Sequence, residues 1–189
     1  MSVKGLRHWI VNIDRLAGPL LVIACCSLLP VKTWASPTES ELRAAVIVAI
    51  MRFTTWPSVD GLVPQDLDVC IAGAPDSASY LARVSGQQKV AGRTLQVKNL
   101  PNADINACQV LVLGRELNRE SLAPLLQLSN EHSILTVCDG CRISRQEGII
   151  IHLTLRKQRV NFEVNLAKAK SSGLALDAQL LELASVVRK

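Results

Sequence analysis

The chain has 189 residues, 49% of them hydrophobic and 3% aromatic, and carries a net charge of +5. That length suits one domain, and the apolar content is enough to bury a core, which excludes a disordered or low-complexity chain. Lys4, Arg7, Arg15 and Lys32 face only Asp14 in the first 35 residues, whereas 17 basic residues meet 15 acidic ones from Ser36 onward. With Phe53, Trp56, Tyr80 and Phe162 as the only aromatics beyond Ser36, the chain lacks the phosphate footprint and stacking platforms of a nucleic-acid binder.

Arg7 and Arg15 precede an apolar run from Leu16 to Val31, and Trp34-Ala35 then leads into Ser36-Pro37. The order of basic region, apolar core and small residue is that of a secretory signal cut after Ala35. Residues 1–35 are therefore expected to be a signal peptide and residues 36–189 a single periplasmic domain. A permanent span would be short for a ~30 Å hydrocarbon core. Val22-Ile23-Ala24-Cys25 also fits a lipoprotein signal, which would lipidate Cys25.

Thr38-Glu39-Ser40-Glu41 has the form of a capping box, and Leu42, Ala45, Val46, Ala49, Ile50 and Phe53 follow at helical spacing. This helix is expected to stop before Trp56-Pro57. Leu67 to Ala72 reads as a buried strand, and Asp76 as the cap of a helix through Arg83. Arg93 to Val97 is the next strand, Val110 to Leu113 another, and Asn118 caps a helix that carries Leu122, Leu125, Leu126 and Leu128. Ser133 to Val137 follows as a strand. Gly148 to Leu155 and Arg159 to Asn165 then form an antiparallel hairpin, with closing helices over Ala167 to Lys170 and Asp177 to Val187. Fully apolar strands alternating with helices predict an α/β fold: a mixed, mostly parallel sheet with helices on both faces, ending in a β-hairpin and C-terminal helices.

Removal of the signal leaves Cys70, Cys108, Cys138 and Cys141. An even count after an export signal points to disulfides, and the close spacing of Cys138 and Cys141 pairs them locally, leaving Cys70 with Cys108. In the chain-entropy picture the longer loop is worth roughly 3.9 kcal/mol and the shorter roughly 1.9. The first is a staple. The second constrains little and is the more easily reduced, as a redox-responsive element requires. Zinc competes with this reading, but one C-x-x-C needs two further ligands, and His132 and His152 lack a paired spacing, so no metal site is expected.

No G-x-G-x-x-G, P-loop or G-x-S-x-G occurs, so no catalytic residues and no cofactor are expected. Cys138-Asp139-Gly140-Cys141 has the spacing of thiol–disulfide oxidoreductases, but Arg142 to Gly148 is too short and polar to supply the helix that lowers the thiol pKa in them. On the last hairpin strand Arg159, Asn161, Glu163 and Asn165 alternate with Val160, Phe162 and Val164. Together with His152 on the preceding strand they form a candidate partner or ligand surface, the alternative being a solvated edge. The strand ends near Gly73, Gly114 and Asp139 offer a crevice for a small ligand.

Arg43 through Arg52-Phe53-Thr54-Thr55-Trp56-Pro57, the strand Leu67 to Gly73, and Gly148 to Ile151 leading to Arg159-Val160-Asn161-Phe162-Glu163-Val164-Asn165-Leu166 occur in order. Gly92-Arg93, Cys108 and the tail Gly173 to Ala184 fit with them. This ordered set resembles the YfiR-type periplasmic repressors from about Arg43 to Val187. The resemblance implies a non-enzymatic regulator that holds an inner-membrane diguanylate cyclase inactive through the cyclase's periplasmic region. Cyclic di-GMP and biofilm formation are thereby lowered. It also implies an OmpA-like outer-membrane lipoprotein that sequesters the repressor, and an activity that depends on disulfides. A homodimer stays open. The chain departs from the pattern in its closely spaced second cysteine pair, in Glu147-Gly148 where relatives often carry Gly-Gly, and in Asp177-Ala178 where small hydroxyl residues are common. A periplasmic small-ligand receptor and a thiol–disulfide oxidoreductase are the alternative functions.

Overall fold

Thr38 accepts a hydrogen bond from the Glu41 backbone while Glu41 reaches back to the Thr38 N–H at 2.9 Å, and this box starts helix α1, Glu39–Arg52. The bond from Thr38, and then that from Arg83, hold the Glu41 carboxyl below its usual range. A computed structural model describes residues 36–58, 64–142 and 148–189; the expected signal peptide lies outside them. After α1 come β1 (Thr54–Thr55), β2 (Asp66–Ala72), α2 (Ala78–Val84), β3 (Lys89–Val90), β4 (Arg93–Asn99) and a single 3-10 turn, Ile105–Ala107. The chain continues through β5 (Val110–Leu113), α3 (Arg119–Glu131), β6 (Leu135–Cys138), β7 (Ile151–Arg156) and β8 (Arg159–Asn165). It closes with α4 (Leu166–Ser171), β9 (Ala175–Leu176), α5 (Ala178–Leu183) and β10 (Val186–Arg188).

Eight strands form one sheet in the order β10-β8-β7-β6-β5-β2-β4-β3. The run β7-β6-β5-β2-β4 is parallel, the β7–β8 hairpin and β3–β4 are antiparallel, and β10 joins β8 in parallel. The fold is thus α/β with a mixed, mostly parallel sheet. Alternate residues of the apolar strands feed two separate cores, as burial on both faces demands. Val110 and Val112 of β5 pack with Ala44, Ile47, Ile50 and Met51 of α1, while Leu111 and Leu113 pack with Leu122 of α3 and the cysteines. Residues 37–189 make one compact unit. Among the described residues no helix is long and apolar enough to cross a membrane.

Three local expectations change. The helix expected over residues 177–187 ends at Leu183, because Ser185 donates through both its N–H and its hydroxyl to the Phe162 carbonyl at 2.8 Å. The last residues are drawn onto the open edge of β8 as β10, where unpaired backbone groups await partners. Asp76 does not cap α2; Ser77 holds the cap position without a side-chain bond, and the Asp76 carboxylate faces arginines instead. Two cationic guanidinium groups there offer the carboxylate opposite charge as well as donors, where a cap would offer it only backbone N–H groups. The strand expected from Gly148 joins the ladder only at Ile151.

Candidate functional site

The strand order places β2 between β4 and β5, and the chain leaves β2 in one direction and enters β5 from the other. Such a reversal opens a crevice at the carboxyl ends of the strands in many α/β sheets. Here the crevice is filled by the protein itself. Residues 73–75 lie so close to Gly114 that a Cβ there would collide with the Gly73 carbonyl. Asp139, directly after β6, has no solvent exposure. It accepts from Arg43 of α1 at 2.8 Å and from the Ser77 N–H at 2.7 Å. Arg43 also donates to Glu39 at 2.8 Å and lies 3.8 Å from Asp76, which Arg115 approaches from outside. Burial alone would lower the Arg43 pKa, but the bonds to Glu39 and Asp139 outweigh it and raise the value. This network ties α1, the start of α2 and the end of β6 together. Among the described residues its buried charges are matched within the fold.

The end of β6 also carries Cys138, which is bonded to Cys141 across the turn through Gly140. Gly140 has φ +81°, a conformation that favours glycine, and a Cβ on it would meet Asp76 Oδ2 at 2.6 Å and push that carboxylate aside. The other disulfide joins Cys70 in β2 to Cys108 just before β5, with Cα atoms 5.9 Å apart. Both pairings agree with the sequence expectation. Cys70 and Cys108 are buried, whereas Cys141 is partly exposed. The segment whose length and polarity argue against a catalytic helix falls largely in residues 143–147, outside the described residues.

The structure gathers His152, Arg159, Asn161, Glu163 and Asn165 on one face of the hairpin, with His152 directly across from Glu163 and Thr154 from Asn161. It does not expose them equally. Glu163 is buried and accepts from Arg188 of β10 at 2.9 Å. His152 is buried next to Cys138, its register partner in β6. The Asn165 side chain caps α4 by accepting from the Lys168 N–H at 3.0 Å. Arg159 remains exposed and Asn161 half-buried, beside the exposed basic tip Arg156 and Lys157. The alternation of β8 was legible in sequence; its covering by β10 was not, because Val186 and Val187 read as the end of the helix expected over residues 177–187.

At the opposite end of the parallel strands, Trp56 donates from Nε1 to the Gln109 carbonyl at 3.0 Å. Arg93 lies 5.8 Å over the indole and donates to the Pro64 and Asp66 carbonyls. Burial lowers the Arg93 pKa against the pull of Asp68 and Asp66. Trp56, Pro57, Arg93, Gln109 and His132 border a cleft of about 380 Å³. A second hollow of about 200 Å³, with Met51, Leu67 and Val90, shares Trp56, Pro57 and Arg93 with it. Two blocks that carry the family resemblance, Trp56-Pro57 and Gly92-Arg93, meet here although 34 residues of sequence lie between them.

Comparison at the family level matches the YfiR/HmsC-like family over residues 40–185. The chain belongs to that family. The match runs from Ser40, the second residue of α1, to Ser185, so both disulfides, the buried Arg43–Asp139 pair and the Trp56 cleft fall inside the family domain. Among solved structures, the chain is similar to a conserved domain protein from Vibrio cholerae O1 biovar El Tor, with 11% identity and a TM-score of 0.46. The alignment covers 82% of this chain and 62% of that one, so this chain spans less than two thirds of that structure's length.

Proposed function

We propose that the protein is a periplasmic, non-catalytic regulator that represses an inner-membrane diguanylate cyclase by direct contact with its periplasmic region. The observation that carries this reading is the family match across residues 40–185, nearly the whole of the domain. An OmpA-like outer-membrane lipoprotein sequesters the repressor and releases the cyclase. Cyclic di-GMP then rises and biofilm formation follows. Export frees residues 36–189 as a single domain. N-terminal sequencing of periplasmic material is expected to begin at Ser36, and recovery of a lipidated Cys25 from the membrane fraction would overturn that assignment.

The contact surface is the hairpin face, with Arg159 and Asn161 touching the partner and with the more buried His152, Glu163 and Asn165 continuing the same face beside them. Arg159→Glu is expected to release the cyclase while stability changes by no more than ~0.5 kcal/mol, as for other exposed substitutions. Glu163→Lys would set a buried cation against Arg188 and is expected to cost about 3 kcal/mol or more. Circular dichroism melting beside a cyclic di-GMP assay separates the two effects. Full repression by a folded Arg159→Glu protein would remove the hairpin from the interface.

The Trp56 cleft favours a second reading, a small-ligand receptor, since about 380 Å³ falls within the usual size of ligand pockets. Purification of the native protein followed by mass spectrometry of released small molecules tests it. A stoichiometric metabolite without any bound cyclase would favour the receptor.

A further inference from the structure

The parallel β6–β7 ladder sets Cys138 opposite His152, so both side chains leave the same face of the sheet, and the turn through Gly140 returns Cys141 to them. The two Sγ atoms and an imidazole nitrogen all lie within 4.8 Å of one another. In a tetrahedral zinc site, Zn–S bonds of about 2.3 Å and Zn–N bonds of about 2.0 Å place donor atoms roughly 3.5–3.8 Å apart. Once the S–S bond is broken, the sulfurs need only relax to that spacing around a shared ion. The C-x-x-C spacing is one that zinc sites use, and the cysteine Cα atoms are 5.5 Å apart.

We propose that Cys138, Cys141 and His152 form a zinc site that exists only when the Cys138–Cys141 disulfide is reduced. The proposal is independent of which partner the protein represses. A dithiol reductant supplies two electrons and two protons to the S–S bond, leaving two thiols here and a cyclic disulfide on the reductant. Zn²⁺ then displaces one proton from each thiol and takes a lone pair from neutral His152, with solvent in the fourth position. Two protons are released per ion bound. Oxidation and zinc loading exclude each other, because both consume the same sulfur valences. The partial exposure of Cys141, against the burial of Cys70 and Cys108, directs a mild reductant to this pair first. The sequence conceals the site because His152 stands alone and fourteen residues from Cys138, and only the ladder brings them together.

The test is an anaerobic titration of the purified protein with Co²⁺ and then Zn²⁺, before and after mild reduction. The reduced protein is expected to bind one equivalent of Co²⁺, with thiolate charge-transfer and tetrahedral d–d bands that Zn²⁺ abolishes, and the oxidised protein none. Cys138→Ser/Cys141→Ser keeps Cys70 and Cys108 and is expected to bind none under either condition. His152→Gln is expected to weaken binding by about 100-fold or more, since groups one shell further out are already worth about 10–100-fold. If that variant fails to fold, X-ray absorption of the wild-type zinc complex is expected to show two sulfurs and one imidazole. Absence of metal binding by the reduced protein would overturn the proposal, as would binding that survives in the double serine variant or a zinc shell without imidazole.

Discussion

Asp139→Ala is expected to lower the unfolding free energy by about 3–5 kcal/mol, the usual penalty for removing one partner of a buried ion pair. Asp139 is fully buried and takes two short hydrogen bonds, one from Arg43 and one from the Ser77 N–H. Its removal takes the fully buried partner from the Arg43 guanidinium, whose side chain is only 7% exposed, and leaves it the half-exposed Glu39 and, 3.8 Å away, the Asp76 carboxylate that Arg115 also engages. It also leaves the Ser77 N–H without its acceptor. A double variant in which apolar residues replace both Arg43 and Asp139 is expected to recover much of the loss, because no buried charge is then left uncompensated. Urea unfolding of the single and double variants measures both effects. A loss below about 1 kcal/mol for Asp139→Ala would show that the network does not hold the end of β6 to α1.

Loss of the Cys70–Cys108 bond, by serine at either position, is expected to cost about 2–5 kcal/mol, and loss of Cys138–Cys141 distinctly less. The difference follows from loop length. The first bond closes a sequence separation of 38 residues and the second a separation of 3, so the first removes far more freedom from the unfolded chain. Exposure reinforces the ranking: both pairs meet the core on the α3 side, but Cys70 and Cys108 are both buried whereas Cys141 is partly exposed. Thermal unfolding of the four single serine variants decides it. Equal shifts for the two pairs would contradict the ranking, and a peptide joining Cys70 to Cys138 in the non-reduced protein would contradict the pairing.

Where one physical signal dominates, sequence and structure agree to the residue. Val110–Leu113 and Arg159–Asn165 are strands with the expected bounds, because uniform apolar character in one and strict alternation in the other leave no competing period. The Asn118 cap holds for the same reason: its carboxamide meets the Ser121 N–H at 2.9 Å. Reading fails where a distant partner decides. Residues 186–188 carry no strong strand pattern of their own and become β10 only because the β8 edge is open beside them. Asp76 resembles a helix cap until Arg43, 33 residues earlier, competes for its carboxylate. Asp139 looked like one side of a ligand crevice, yet its charge is consumed within the fold. His152 lacked any neighbour in sequence to suggest chemistry, and its place beside Cys138 is a property of strand order alone.

The central claim, repression of a diguanylate cyclase, is tested most directly by cellular cyclic di-GMP in three strains: wild type, one lacking this protein, and the deletion strain re-expressing it. Repression predicts that deletion raises cyclic di-GMP and that re-expression of the exported protein restores the original level, whereas the folded Arg159→Glu protein does not restore it. Cyclic di-GMP that stays at the wild-type level on deletion and on re-expression would contradict the account.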